Sequence, residues 1–487
     1  MRGHDVVIAG AGPAGSALAI ELSQEGYSVL LLDAARFPRD KVCGDYVSPR
    51  GLARLAALGC GPAVRDLGST PIRRSRLYLG KEHLVSGVLP QVPGLPSHGL
   101  ALPRRELDEI LFRRAIQAGA RTVESCRVTS FEIRRGKVEV HARREGKACS
   151  FAAELLVGAD GATSAVAKAA GRRMNDPRST LASIRAYATG LSLDHTPMYF
   201  DREFFPGYAW IFPVRPGLCN VGVGMVSEPL TRGGLRLSDF YAKLTRLVHH
   251  LARSKGAAVQ IGPHRGWPIR SFGGGAANHF ERGLLIGEAG AFVDPINGEG
   301  IPLAMESAHV AARTIRRAFA AGRFDEPTLS RFDADWRARF EVDLRISDLA
   351  VTMIRNRHLL PVWLSTFRAM SAAAREDARY ASVTGGILGG VLPARAGVTP
   401  EMFVRAIVRS VGSLREAIGL PGPSAGASEW FASAASWVRF QKDVARALLD
   451  DGPWFRSWAA EVMAKQEWLG RELLLGSTSA PRISGLS

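Results

Sequence analysis

The sequence has little cysteine, and the cysteines it has are scattered. Five cysteines stand among 487 residues, an odd number with no Cys-x-x-Cys pair. This usage indicates neither a disulfide framework nor a zinc site, and we find no other metal-ligand spacing. No stretch reaches the roughly 18 apolar residues that a membrane-spanning helix needs. We therefore expect a cytoplasmic protein in a reducing compartment, with no bound metal.

Acidic residues are outnumbered by basic ones. The chain has 63 Lys and Arg against 46 Asp and Glu, a net charge of +17. Such an excess can serve a nucleic acid, an anionic membrane surface or an acidic substrate. The basic residues are mostly arginines, spread along the chain in runs no longer than two. This spread favours a general preference for arginine over a binding patch, and we expect no nucleic-acid partner.

The chain opens with an apolar run at 5–9, a glycine turn at 10–15, a helical pattern and a second apolar run that ends at Asp33. The order strand, turn, helix, strand is a parallel β-α-β unit. Such a unit predicts a doubly wound sheet whose ligand crevice lies at the carboxyl ends of the strands. We therefore expect an α/β fold of the Rossmann type.

The residues of this turn have the types that a dinucleotide needs. Gly10 permits the tight turn, Gly12 lets the backbone approach a pyrophosphate, and Gly15 lets the helix pack closely on the strand. Amides at the helix start then face the phosphates. Asp33 is placed to accept hydrogen bonds from the adenosine ribose.

Three further segments turn the dinucleotide fingerprint into a flavin prediction. A strand ends at Asp160-Gly161, where glycine allows close approach of the backbone to a cofactor. In segment 284–308 a strand and a turn precede a helix that begins near Gly298, and its amides can stabilise negative charge on a reduced flavin. The guanidinium of Arg104 can reach the pyrophosphate or the ribityl chain.

The pattern divides the chain into interleaved parts. We predict an FAD-binding domain from 1–75, 98–180 and 281–345, a sheet-based substrate domain from 76–97 and 181–280, and a C-terminal helical region from 346–487. Alternation from 121 to 157 predicts three or four antiparallel strands, a meander inserted in the FAD-binding domain, with turns at Arg135-Gly136 and Glu145-Gly146.

These features resemble the geranylgeranyl reductase family, within the flavoproteins that include para-hydroxybenzoate hydroxylase and the flavin-dependent halogenases. The resemblance covers about residues 1–345 and rests on GAGPAG at 10–15, PRDKVCGD at 38–45, Arg104 with LD at 107–108, GADG at 158–161, GYAWIFP at 207–213 and segment 287–301. It implies FAD as cofactor, with contacts from Ala14, Asp33, Cys43, Gly44, Arg104, Val128, Glu288, Gly300 and Ile301. The family usually has Asp at position 288 and often a small residue at position 46, where this chain has Glu288 and Tyr46.

Tyr208, Trp210 and Phe212 share one face of a predicted strand. Three aromatics on one face form either an ordinary sheet core or the apolar wall of a pocket over the flavin. On the second interpretation they bind a small hydrophobic substrate.

The resemblance leaves two reactions open, both of which begin with reduction of FAD by NAD(P)H or a partner reductant. No second glycine fingerprint is present, so NAD(P)H is expected to bind transiently. We favour hydride transfer to a carbon-carbon double bond of an isoprenoid-like substrate, with Cys43 or another acid aiding proton delivery. The alternative is hydroxylation of a hydrophobic or aromatic metabolite, with a hydrogen bond from Tyr46.

Two other functions fit the sequence less well. Halogenases typically carry W-x-W-x-I-P where this chain has residues 208–213, and a prenyl-binding escort protein without flavin has no need of the intact glycine turn and Asp33. A helical stripe of Leu359, Leu360, Trp363, Leu364 and Phe367 is either a peripheral membrane contact or a face packed on the core. The oligomeric state is left open.

Overall fold

The computed structural model describes residues 3–174, 176–399, 401–402 and 448–475, together with isolated positions between 426 and 446. The predicted α/β class is confirmed. The strands are β1 His4–Ala9, β2 Val29–Leu32, β3 Tyr46–Val47, β4 Arg74–Leu79, β5 Glu82–Val88, β6 Leu100–Ala101, β7 Arg121–Val123, β8 Cys126–Arg134, β9 Lys137–Arg144, β10 Lys147–Gly158, β11 Thr180–Thr189, β12 Thr196–Phe200, β13 Tyr208–Arg215, β14 Leu218–Val226, β15 Gln260–Ile261, β16 Arg265–Arg270, β17 His279–Phe280 and β18 Gly283–Leu285. The helices are α1 Pro13–Gln24, α2 Pro49–Ala57, α3 Gly61–Asp66, α4 Arg104–Gln117, α5 Ala165–Ala169, α6 Ser227–Gly233, α7 Leu237–Ser254, α8 Ile301–Ala321, α9 Glu326–Leu329, α10 Arg331–Trp336, α11 Val342–Ile354, α12 Leu360–Glu376, α13 Ala378–Leu388 and α14 Gly452–Leu475.

The first sheet has the order β17-β18-β10-β1-β2-β7, and the pairs among β18, β10, β1, β2 and β7 are parallel. Both of its faces are buried, as parallel sheets require. On β1, Val6 and Ile8 point into the core that holds helices α1, α4 and α8, whereas Val7 and Ala9 point to the opposite face. The apolar run 5–9 is therefore continuous because each side chain meets a core.

The inserted meander consists of β8, β9 and β10, which are antiparallel to one another. The predicted turns are present, and Arg135, Gly136, Glu145 and Gly146 all have positive φ. One part of the expectation was wrong. Strand β7 pairs in parallel with β2, because it follows the crossover helix α4 and returns to the Rossmann sheet.

The second sheet has the order β15-β11-β14-β13-β12-β4-β5, with β16 also on β11. Segment 74–88 thus joins strands that lie more than a hundred residues further along. Helix α7 covers one face, where it packs on Ala209 and Ile211 of β13. The alternate residues of β13 point to the other face, which is left for a ligand or another element.

The C-terminal helices pack on the edge of this second sheet. Leu364 is buried against Leu79 and Leu84, and Leu360, Trp363 and Phe367 lie in the same cluster. These four residues of the proposed membrane stripe are therefore packed on the protein core. Within the described ranges, no helix combines the length and apolar character needed to cross a membrane. Most of the predicted helical region between 403 and 447, and all of 476–487, lies outside the described residues.

Buried ion pairs connect helix α14 to the C-terminal end of α11 and to α6. The Arg355 side chain is 2% exposed, and its guanidinium lies 2.8 Å from a Glu228 carboxylate oxygen and 2.5 Å from a Glu461 carboxylate oxygen. Trp458 of α14 donates its indole N–H to the carbonyl of Thr352 at 2.7 Å. Since a buried charge needs its partner, Arg355 should be central to the docking of α14.

We predict that Arg355→Met lowers the free energy of unfolding by about 3 kcal/mol, because it removes the buried cation that Glu228 and Glu461 share and keeps most of the side-chain volume. Glu461 keeps Lys465 at 2.8 Å, so Glu228 is the carboxylate that loses its paired cation. The matched control is Arg368→Met, since Arg368 is 53% exposed in its pair with Glu82 and exposed pairs contribute less than about 1 kcal/mol. Urea denaturation measures both. Equal losses in the two variants would contradict the role given to Arg355.

Candidate active site

One large cavity of about 1240 Å³ lies between the carboxyl ends of the first sheet and the uncovered face of the second. Ligand cavities typically measure about 300–1,000 Å³, so this one has room for more than one ordinary ligand. Every residue predicted for the cofactor, the substrate or catalysis lines it, with the exception of Gly15. Among the described residues, no three His, Cys, Asp or Glu side chains are placed to hold a metal ion.

The glycine turn has the geometry that a dinucleotide requires. Gly10 has a φ of +103°, and a Cβ there would lie 2.4 Å from the carbonyl oxygen of Ala159. A Cβ on Gly15 would lie 1.8 Å from the Gly10 carbonyl oxygen, so Gly15 serves the packing of α1 on the turn. A Cβ on Gly12 would meet only the Arg39 and Arg104 guanidinium groups, at 3.7 and 3.9 Å. Gly12 therefore leaves free space toward the cavity.

Asp33 closes β2 as predicted, and one of its oxygens accepts a hydrogen bond from the Ala11 amide at 2.9 Å. Arg39 lies beside it, with guanidinium and carboxylate atoms 3.4 Å apart, and also donates to Asp108 at 2.9 Å. Arg104 binds Asp108 with two hydrogen bonds of 2.7 and 2.8 Å. Two guanidinium groups next to Gly12 fit the phosphates of a dinucleotide.

Arg39 was not predicted as a site residue, although it lies inside the quoted PRDKVCGD stretch. Nothing local distinguishes it from the other arginines of this arginine-rich chain. Its two carboxylate partners, Asp33 and Asp108, come from separate elements. Arg39 is identified as a site residue only by the folded structure, in which both carboxylates lie beside its guanidinium group.

Two predicted carboxylates already have protein partners. Asp160 accepts hydrogen bonds from the Ser164 hydroxyl and from the Ala165 amide at 2.7 Å, so that it caps α5. Glu288 lies 2.5 Å from the Lys41 ammonium and accepts a hydrogen bond from the Arg270 amide at 3.2 Å. Both border the cavity.

The loop before α8 brings backbone amides to the cavity. Gly298 has a φ of +70°, a conformation that favours glycine. A Cβ on Gly300 would lie 2.9 Å from a Val293 methyl group. Ile301 then begins a helix of 21 residues, whose positive end faces the cavity. Negative charge on a bound reduced flavin is stabilised by such an end.

Cys43 and Tyr46, the predicted catalytic pair, lie side by side in the cavity wall. Burial raises the pKa of the Cys43 thiol above its usual value, against the opposing charge of Arg104. The Tyr46 ring lies 5.6 Å from the ring of Phe212, and its hydroxyl donates to the carbonyl of Gly389 at 3.1 Å. Tyr46 is thus both a packed residue and a lining residue.

Between them, Asp45 is the centre of a buried hydrogen-bond network that the sequence did not reveal. Its Oδ2 accepts from the Tyr187 hydroxyl at 2.6 Å and from the Asn220 amide at 2.7 Å. The same Asn220 nitrogen donates to the Cys43 carbonyl, and its oxygen accepts from the Trp210 indole, each at 2.9 Å. Burial raises the pKa of Asp45 to about 6. The network joins segment 43–46 to the second sheet.

The aromatic face forms a wall of the cavity, as the pocket interpretation expects. The ring centres of Tyr208 and Trp210 are 5.7 Å apart, and those of Trp210 and Phe212 are 6.0 Å apart. The wall continues as an apolar floor. Trp210, Met198, Leu77 and Val85 are direct partners across strands β13, β12, β4 and β5, so they share one face.

The far part of the cavity is roofed by the C-terminal helices. Ile354 of α11, Ala374 of α12 and Ala381, Thr384 and Leu388 of α13 line it. The sequence did not predict this role for the helical region. The described part of that region completes the cavity around the apolar floor.

A family model described as an FAD binding domain matches residues 3–340. Menaquinone reductase of Mycobacterium tuberculosis is 33% identical over 339 residues, which span 64% of this chain and 76% of that protein. Digeranylgeranylglycerophospholipid reductase of Methanococcus vannielii is 26% identical over 343 residues, or 69% of this chain and 83% of that protein.

A solved structure has the same fold. The geranylgeranyl bacteriochlorophyll reductase-like protein of Thermoplasma acidophilum superposes with a TM-score of 0.64 at 18% identity, over 85% of this chain and 98% of that one. The likeness extends beyond the matched family region.

We predict that Gly12→Val loses bound FAD but keeps the fold, because the added side chain enters the space where the pyrophosphate must approach. Affinity for FAD should fall at least tenfold, about 1.4 kcal/mol. The control is Gly470→Val in α14, where a Cβ meets no atom within 4 Å. Flavin absorbance after gel filtration and a thermal unfolding curve measure both effects. Full FAD content in Gly12→Val would refute the assignment.

Proposed function

Since the chain belongs to the FAD binding domain family and is an FAD-dependent oxidoreductase of the geranylgeranyl reductase type, we propose that it reduces a carbon-carbon double bond in the isoprenoid chain of a lipid. A prenylated quinone is the first substrate to test. The observation that carries this proposal is the apolar floor that leads from the aromatic wall to Val85.

The residues present fit FAD at one end of the cavity. Gly10 and Gly12 make the close turn, Arg39 and Arg104 face the phosphates, and the start of α8 faces the ring. When bound, FAD supplies hydride transfer to the substrate, and the protein supplies its position and surroundings. Segment 43–46 lies between this end of the cavity and the second sheet, to which it is hydrogen-bonded.

The floor supports a long, apolar substrate. Neighbouring strands lie about 4.8 Å apart, so the three steps from Trp210 to Val85 cover about 14 Å. Along this distance the floor residues Trp210, Met198, Leu77 and Val85 are apolar, and α12 and α13 lie above them. A long apolar floor of this kind suits an extended chain better than a compact metabolite.

The relatives support the same substrate class. One is named for menaquinone and the other for a digeranylgeranylglycerophospholipid, in which the geranylgeranyl groups are isoprenoid chains. The proposed electron donor is NAD(P)H, bound transiently, or a partner reductant. The hydroxylase alternative loses support, since the Tyr46 hydroxyl already donates its proton to Gly389.

The first test follows the reduced enzyme without oxygen. We predict that anaerobically reduced protein is reoxidised by a menaquinone with an unsaturated chain, and that the product, returned to its quinone form before analysis, has gained two hydrogen atoms in the chain fragments of its mass spectrum. Air is added to a parallel sample as control. If the substrate remains unchanged without oxygen and gains an oxygen atom with it, the protein is a hydroxylase.

The second test narrows the slot. Ala381→Trp places an indole in the roof above the floor, so kcat/KM for a long-chain substrate should fall at least tenfold, about 1.4 kcal/mol, while a substrate with one isoprene unit is unaffected. Ala378→Trp is the control, because Ala378 lies on the same helix but is exposed outside the cavity. Equal losses for long and short chains would show that the floor does not hold the chain.

A further inference from the structure

Glu299 lies where the flavin end of the cavity meets the substrate wall. It stands between Gly298 and Gly300 in the loop before α8, and it lines the cavity. The loop rests on Tyr208, whose hydroxyl donates to the carbonyl of Asn297 at 2.8 Å. The aromatic wall begins at this tyrosine, so Glu299 is close both to the expected flavin and to the start of the slot.

The Glu299 carboxyl group lies beside Ser48, which stabilises its charged form, but it forms no ion pair among the described residues. Its Oε1 is buried and makes no hydrogen bond, and neither oxygen has a cation within 4.0 Å. The turn after α13 closes on it, because a Cβ on Gly390 would lie 2.3 Å from Oε2 and 2.8 Å from Oε1. A carboxyl group enclosed in this way is costly to ionise.

The groups that face Glu299 come from several elements. Asp294 lies in the same loop, Tyr46 is on β3, Tyr208 is on β13, and Arg50 is on α2. Burial, reinforced by the charge of Asp294 and opposed by Ser48 and Arg50, raises the pKa of Glu299 to about 7. A sizeable fraction of the group is therefore protonated near neutral pH.

Other acids in the cavity wall are less suited to give a proton to carbon. Tyr46 and Tyr208 have pKa values raised far above the usual range, and both donate their protons to backbone carbonyls. Burial also raises the pKa of the Cys43 thiol. The pKa of Asp45 is raised only to about 6, so a smaller fraction of this group is protonated near neutral pH than of Glu299, and although its Oδ1 has no partner, its Oδ2 holds Tyr187 and Asn220.

We propose that Glu299 is the catalytic acid that protonates the substrate double bond, a role that rests on the proposed function. One alkene carbon accepts hydride, with its two electrons, from reduced FAD. The other carbon accepts the proton of Glu299, so that one π bond is lost and two C–H bonds form. FAD is left oxidised and is reduced again by NAD(P)H or the partner reductant. Glu299 is left as a carboxylate and regains its proton from water.

Glu299→Gln tests this role with little change of shape. FAD content and the rate of flavin reduction should stay as in the native protein, whereas anaerobic saturation of the chain of the prenylated quinone should slow at least 100-fold, within the usual range of about 10²–10⁴ for an acid catalyst. Glu306→Gln is the control, since Glu306 lies on α8 outside the cavity and pairs with Arg339. It should react as the native protein does.

The pH dependence gives a second readout. The acid acts in its protonated form, so saturation of the chain by the native protein should be fastest below pH 7 and decline as the pH rises through about 7. Cys43→Ala should keep this decline, and Glu299→Gln should lose it. Infrared spectra of the protein should also show a protonated carboxyl band that fades over the same pH range and is missing in Glu299→Gln.

The outcomes separate the two proposals. If native protein saturates the chain of the quinone but Glu299→Gln does so equally fast, or if the infrared band is unchanged by the substitution, the acid is another group and the proposed function stands. If native protein is not reoxidised by any prenylated substrate, the proposed function fails and the role of Glu299 fails with it.

Discussion

The hydrogen bonds of one buried carboxylate, Asp45, hold the two halves of the active site together. Asp45 belongs to the segment beside the flavin end, whereas Tyr187 and Asn220 belong to the second sheet. Each such bond contributes a net 0.5–1.5 kcal/mol or so, but a buried partner left without its bond costs about 1–3 kcal/mol. The segment is therefore fixed against the aromatic wall.

The enclosure of the site depends on the same segment. A Cβ on Gly44 would lie 3.2 Å from the ring of Phe212, so the backbone packs directly on the aromatic wall. On the other side, Tyr46 holds the carbonyl of Gly389, and Glu299 lies against Gly390. The turn after α13 thus closes the slot over two cavity residues. A slot closed on this side limits the access of water to a reduced cofactor.

The sequence predicts local features well and long-range ones poorly. The glycine turn, the position of Asp33 and the shared face of Tyr208 and Trp210 follow from spacing within a few residues, and the structure has them all. In the sequence Asp45 is only the last residue of the PRDKVCGD motif. Its role could not be predicted, because its hydrogen-bond partners lie more than a hundred residues away. The roles of Glu299 and of helices α11–α13 likewise depend on which elements lie next to each other in the folded chain. The hydrophobic periodicity of the sequence carries no information on these long-range contacts.

The central claim is that one cavity holds FAD at its glycine end and an isoprenoid chain along its floor. A crystal structure of the FAD-loaded protein with a prenylated quinone tests it most directly. The account predicts the flavin ring between the start of α8 and Trp210, with the chain lying over Met198, Leu77 and Val85. A chain bound outside this slot, or a flavin ring on the far side of the aromatic wall, would contradict it.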